Sequence, residues 1–110
     1  MSPNNPKTLR SSGLNEKDIQ SIANIFKKFP NIERAVLYGS RSKGNFKPGS
    51  DIDLTLIGKC IRNSELLQIE NELDDLLLPY KIDLSLFHQI DNRDLIDHIE
   101  HVGILFYLPE

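Results

Sequence analysis

Residues 35–57 read AVLYGSRSKGNFKPGSDIDLTLI, and the fold is decided within this one stretch. Its opening residues, Ala35-Val36-Leu37-Tyr38, are apolar and β-favouring, which suits a buried strand over Ile32 to Tyr38. Gly39-Ser40 breaks that run, and a polar loop with Gly44, Pro48 and Gly49 follows. From about Asp51 to Ile57 the residues alternate. Ile52, Leu54 and Leu56 point one way, and Asp51, Asp53 and Thr55 point the other. The short loop between the two strands favours antiparallel pairing, because a parallel crossover normally needs a dozen or more residues.

Helical spacing flanks this hairpin. Upstream, Asn15 is placed to cap a helix, with Asp18 near the positive end of its dipole. Ile19, Ile22, Ala23, Phe26 and Phe29 form its packing stripe, and Pro30 stops it. Downstream, Asn63 or Ser64 caps a helix expected to run through Leu78. Its stripe is Leu66, Ile69, Leu73, Leu76 and Leu77, and Pro79 ends it. Lys81 to Phe87 repeats the strand alternation, with Ile82, Leu84 and Leu86 on one face and Asp83 and Ser85 on the other. A last helix starts near Asn92, capped by Asp91, and packs through Leu95, Ile96, Ile99 and Val102 to a stop at Gly103. Ile104 to Tyr107 adds a short edge strand. The expected fold is α/β (α+β), with a mixed three- to four-stranded sheet and helices packed on one face.

Composition sets the class. A chain of 110 residues fits one core, and 39% hydrophobic with 26% charged residues is ordinary for a globular protein. Residues 1–13, with Pro3, Pro6, Ser11, Ser12 and Gly13, read as a flexible N-terminal arm, and 14–110 as a single domain. The net charge of −3 weighs against direct nucleic-acid binding. Cys60 is the only cysteine, so no intrachain disulfide forms; it reads as a small semi-buried hydrophobe. There is no secretory signal and no membrane-spanning run, so the expected location is cytoplasmic.

The chemistry lies in the acids. Asp51 and Asp53 project from one strand face, and Asp83 has the same phase on another strand. If the strands are neighbours about 4.8 Å apart, three carboxylates can meet. Two carboxylates 4 Å apart repel by about 4 kcal/mol at an effective dielectric near 20, so either a proton or a cation must join them. Hard oxygen donors that leave room for phosphate oxygens favour magnesium. Upstream, Gly39 permits close backbone approach. If a short helix begins at Ser40, its amides and the serine hydroxyl suit phosphate. Arg41 and Lys43 add positive charge beside them and read equally well as phosphate neutralisers or as solvated loop residues, whereas Lys47 reads as a solvated loop residue.

Gly39-Ser40, ten intervening residues, then Asp51-Ile52-Asp53 resembles the signature of the DNA polymerase β nucleotidyltransferase superfamily. The fuller string, Gly39-Ser40-Arg41-Ser42-Lys43-Gly44 ending in Ser50-Asp51-Ile52-Asp53-Leu54, is similar to its minimal nucleotidyltransferase (MNT) branch. Asp83 within Ile82-Asp83-Leu84 matches the third family carboxylate. The tail from Ile99 through Gly103 to Tyr107 also resembles the way these short proteins end. Lys43 stands where an arginine is common and keeps the charge.

The resemblance implies a polymerase β-like fold and transfer of a nucleoside monophosphate, AMP from ATP, to a hydroxyl. Two Mg2+ ions would be held by Asp51, Asp53 and Asp83, with Asp83 also helping to draw off the acceptor proton. Gly39 and Ser40 would hold the β- and γ-phosphates. It further implies a small all-helical HEPN toxin as partner, with this chain as antitoxin and a tyrosine on the partner as acceptor. Competing readings are a non-catalytic antitoxin that acts by occlusion and a transferase that modifies a small molecule. A homodimer or hetero-oligomer is compatible with either. Phe106 and Tyr107 read as core rather than partner surface. His88, His98 and His101 read as solvated, since no third soft ligand accompanies them.

Overall fold

In the computed structural model, which describes residues 9–110, the chain forms one four-stranded sheet, four α-helices and two short 3-10 turns. Helix α1 spans Glu16–Phe26 and strand β1 Arg34–Tyr38, followed by the one-turn α2, Ser40–Lys43, and strand β2, Ile52–Ile57. Helix α3 spans Asn63–Asp74, strand β3 Ile82–Leu86, helix α4 Arg93–Val102 and strand β4 Ile104–Tyr107. The sheet order is β3-β2-β1-β4. β1 pairs antiparallel with both β2 and β4, and β2 pairs parallel with β3 across the α3 crossover. This is the expected mixed sheet.

One face of the sheet carries the core. Ala35, Leu37, Leu54, Leu56, Leu84 and Leu86 pack there with Ile22, Phe26, Ile69 and Leu73 from α1 and α3. Phe26 meets Phe106 and Tyr107 edge to face, at centroid distances of 6.3 and 5.7 Å, so both tail aromatics close the core as expected. Helix α4 departs from the one-face expectation. Its His98 meets Tyr38, and a Cβ on its terminal Gly103 would run into Val36, so α4 lies over the opposite face. An apolar stripe fixes which side of a helix is buried but not which side of the sheet receives it.

Several boundaries shift from the sequence expectations for local reasons. Asn15 caps α1 as expected, its Oδ1 accepting from the Asp18 N–H at 2.7 Å. The cap of α4 is Asn92, not Asp91, with Oδ1 accepting from the Leu95 N–H at 3.2 Å. Helix α3 ends at Asp74, four residues before Leu78. Beyond it Leu77 adopts a left-handed φ of 54° and is 88% exposed, so it leaves the apolar stripe. Cys60 is exposed. Of the arm expected over 1–13, residues 1–8 lie outside the described residues. The described end, Leu9–Ser12, makes a 3-10 turn with Ser12 fully buried.

At the start of α3, Glu65 accepts from the Arg62 backbone N–H at 3.0 Å and from the Asn31 side chain. The Arg62 hydrogen bond, then that from Asn31, holds its carboxyl below the usual range. A depressed carboxyl contributes stability above its unfolded pKa and loses it as pH falls through the folded value. Glu65→Gln should therefore lower Tm at neutral pH, and the difference from wild type should close in acid. Thermal melts at neutral and acidic pH check this, and a gap that persists in acid refutes it.

Candidate active site

The sheet face under α4 is apolar at one end, with Val36, Ile57 and Leu105 near Ile99, and polar at the other, with Tyr38, Asp53 and Asp83. β-Register sets Asp53 opposite Tyr38 on one side and opposite Asp83 on the other. One rung below, the Ser85 hydroxyl donates to Thr55 Oγ1 at 3.0 Å. Asp51 is exposed just ahead of β2, with the same phase as Asp53. Burial chiefly, then the charges of Asp83 and Asp51, push the Asp53 carboxyl above its ordinary range against the opposing pull of His98. Burial likewise raises the Tyr38 phenol, reinforced by Asp53 and Asp83 and opposed by a hydrogen bond with Ser85. Asp83 and Asp51 thus both bear on Asp53 at one end of the sheet.

Their side chains do not converge further. Among the described residues no three His, Cys, Asp or Glu side chains form a group poised to hold a metal ion. The expectation of three carboxylates at one point is thus met by register and phase, not by the side-chain positions. Repulsion of about 4 kcal/mol per close pair gives a physical reason for them to stand apart. The donor set still fits a hard divalent cation. It offers carboxylate oxygens, from Asp53 and Asp83 on adjacent strands and Asp51 just ahead of β2, and Asp53 is destabilised as an anion by burial and then by like charge.

Beside the acids, the chain turns sharply out of β1. Gly39 has φ 79° and ψ −155°, a conformation open essentially to glycine alone. A Cβ there would also collide with Asp53 Oδ2. The glycine thus lets the Ser40 turn lie directly against the Asp53 carboxylate. The Gly39 carbonyl accepts from the Ser42 hydroxyl at 2.9 Å and from the Lys43 N–H at 3.1 Å, which closes the turn from below. Ser40 is half-buried at the turn and Lys43 is exposed on α2.

Arg41 requires a correction. Expected beside a phosphate, it is 1% exposed and faces inward. Its Nε donates to the Ser50 carbonyl, its Nη1 to Ser12 and its Nη2 to Pro48 and Ser50, at 2.8 to 3.2 Å. The guanidinium lies over the Phe46 and Tyr80 rings, 5.0 and 4.8 Å from their centroids. These donors serve the chain's own carbonyls, so the residue shapes the loop and does not reach out to a ligand.

The sequence reading also missed His98. It is half-buried, not solvated, and its Nε2 accepts from the Gly39 N–H at 3.1 Å. Its ring stands edge-on to Tyr38, 6.1 Å between centroids. No local signal announces a contact between residues 59 apart. His88 and His101 are exposed, as expected.

A family model described as "Polymerase beta, Nucleotidyltransferase" matches residues 20–109. No curated protein sequence matches the chain. Among solved structures, the fold is similar to a chain of a toxin–antitoxin crystal structure with AMP-PNP. The TM-score is 0.66 and the identity 21%, covering 88% of this chain and 76% of that one. It is also similar to a chain in a complex of tri-AMPylated Shewanella oneidensis HEPN toxin with MNT antitoxin. There the TM-score is 0.65 and the identity 16%, covering 87% and 74%. A chain of the toxin–antitoxin pair MntA–HepT gives a TM-score of 0.64 at 15% identity, covering 86% and 74%. Among the described residues, no helix is long and apolar enough to cross a membrane.

Proposed function

The chain belongs to the polymerase beta nucleotidyltransferase family, and we propose that it moves AMP from ATP to a tyrosine hydroxyl on a HEPN-type toxin, as its antitoxin. The observation that carries this reading is the register match of Asp53 with Asp83, set directly against the Gly39-Ser40 turn. The similar toxin–antitoxin structures, one with AMP-PNP and one with an AMPylated HEPN toxin, support the donor and the partner. The proposed setting is cytoplasmic, in a hetero-oligomer with that partner.

In this reading Asp51, Asp53 and Asp83 would hold two magnesium ions, with Asp83 on the acceptor side. Bound there, the ions supply charge neutralisation for the triphosphate and for the attacking and leaving oxygens of an in-line displacement. The acceptor oxygen bonds to the α-phosphorus as the bond to pyrophosphate breaks, and Asp83 helps to take the hydroxyl proton. The Ser40 hydroxyl, which follows the glycine turn set against Asp53, orients the β- and γ-phosphates. Lys43, at the end of α2, contributes positive charge toward them.

Incubating the protein with its helical partner, ATP and magnesium should add AMP mass to a partner tyrosine and release pyrophosphate. A partner that binds and is neutralised with no added mass would overturn the transferase reading in favour of occlusion.

A further inference from the structure

The glycine turn is the most demanding piece of backbone in the site, and it is held from two directions. From within, the Ser42 hydroxyl and the Lys43 N–H bind its carbonyl. From outside, His98 binds its N–H. The internal hold belongs to a single helical turn, and Arg41 ties the buried side of that turn to the Ser12, Pro48 and Ser50 carbonyls rather than to the acidic sheet face. The external one comes from α4, an element packed over the same face that carries Asp53 and Asp83. Because Nε2 accepts, the ring proton resides on Nδ1. Edge-on packing against Tyr38, itself opposite Asp53 in the ladder, fixes the plane of the ring.

We propose that His98 is a positioning residue for the nucleotide: by holding the Gly39 amide it fixes the Gly39-Ser40 turn against Asp53. The inference rests on the transferase reading above and adds a residue to it. It also assigns Gly39 a narrower part. With its N–H given to His98, the glycine supplies backbone conformation and the absence of a Cβ, and the phosphates meet the serine that follows it. In this arrangement His98 acts through the turn.

The test compares wild type with His98→Gln and His98→Leu. Glutamine places an acceptor oxygen near the position of Nε2, whereas leucine keeps apolar bulk against Tyr38 and offers no acceptor. Binding of a fluorescent ATP analogue with magnesium should weaken about five- to tenfold in the leucine variant, the scale of one lost neutral hydrogen bond, and recover in the glutamine variant. In nucleotide-free protein, the NMR resonance of the Gly39 amide proton should stay downfield in wild type and His98→Gln and move upfield in His98→Leu. Unchanged or tighter binding by His98→Leu would overturn the inference, the latter because the histidine would then be shielding a phosphate-binding amide. A glutamine variant as weak as the leucine one would also overturn it and assign the effect to ring packing. Failure of the wild type to bind the analogue is a different outcome, and it defeats the transferase reading on which the inference stands.

Discussion

Asp53→Asn is expected to lower AMP transfer by about a hundred- to a thousandfold, the scale seen when a group that stabilises transition-state charge is removed. The same substitution should raise the Tm of the metal-free protein. These opposite signs follow from one environment. Asp53 is disfavoured as an anion first by burial, then by Asp83 and Asp51, so the neutral isostere relieves repulsion without changing shape. Asparagine keeps one oxygen but loses the charge a magnesium ion needs, so the relief and the loss of activity come together. Magnesium should stabilise the wild type by binding its native state, and Asp53→Asn much less. Melting curves with and without magnesium, beside the transfer assay, check all three statements. A variant that loses activity and also melts lower would mark Asp53 as a structural residue and remove it from the site.

The features read correctly from the sequence are those carried by period and by local chemistry. Alternation over Asp51 to Ile57 and over Lys81 to Phe87 put the acids on one face, and the ladder sets Asp53 opposite Asp83. Helix α1 and its cap follow from Asn15 and the apolar spacing, and β4 coincides with the apolar run Ile104–Tyr107. What escaped depends on contacts distant in sequence. The side of the sheet that takes α4, the hydrogen bond between His98 and Gly39 and the burial of Ser12 are tertiary facts with no local periodicity. The early end of α3 is a different case. Leucines continue at helical spacing past Asp74, so the pattern persists while the backbone turns left-handed at Leu77 ahead of Pro79. Arg41 was misread because a basic residue in a polar loop has the composition of a solvated side chain or a phosphate ligand. Neither describes a guanidinium with two backbone segments, Ser12 and the Pro48-Ser50 loop, gathered around it.

That gathering makes Arg41 the residue whose loss should most damage the fold near the site. Truncation by Arg41→Ala strips the donors from the Ser12, Pro48 and Ser50 carbonyls and leaves a gap between the Phe46 and Tyr80 rings. Leaving a buried acceptor unpaired costs about 1–3 kcal/mol, so with some water entry the total should be about 3–5 kcal/mol. Against a typical domain stability of about 5–15 kcal/mol, that is a large fraction. Arg41→Lys keeps the charge but brings one compact ammonium where a planar fork spans three carbonyls, so it should recover only part of the loss. Urea unfolding without nucleotide measures both variants and separates two roles. A phosphate ligand would leave nucleotide-free stability nearly intact, and Lys would largely substitute for Arg in binding. A loop organiser loses stability first. Activity then follows, because the Ser50 carbonyl held by Arg41 immediately precedes Asp51, and a loosened loop no longer presents that carboxylate beside Asp53. Wild-type stability in Arg41→Ala would refute the organising role and return the residue to the phosphates.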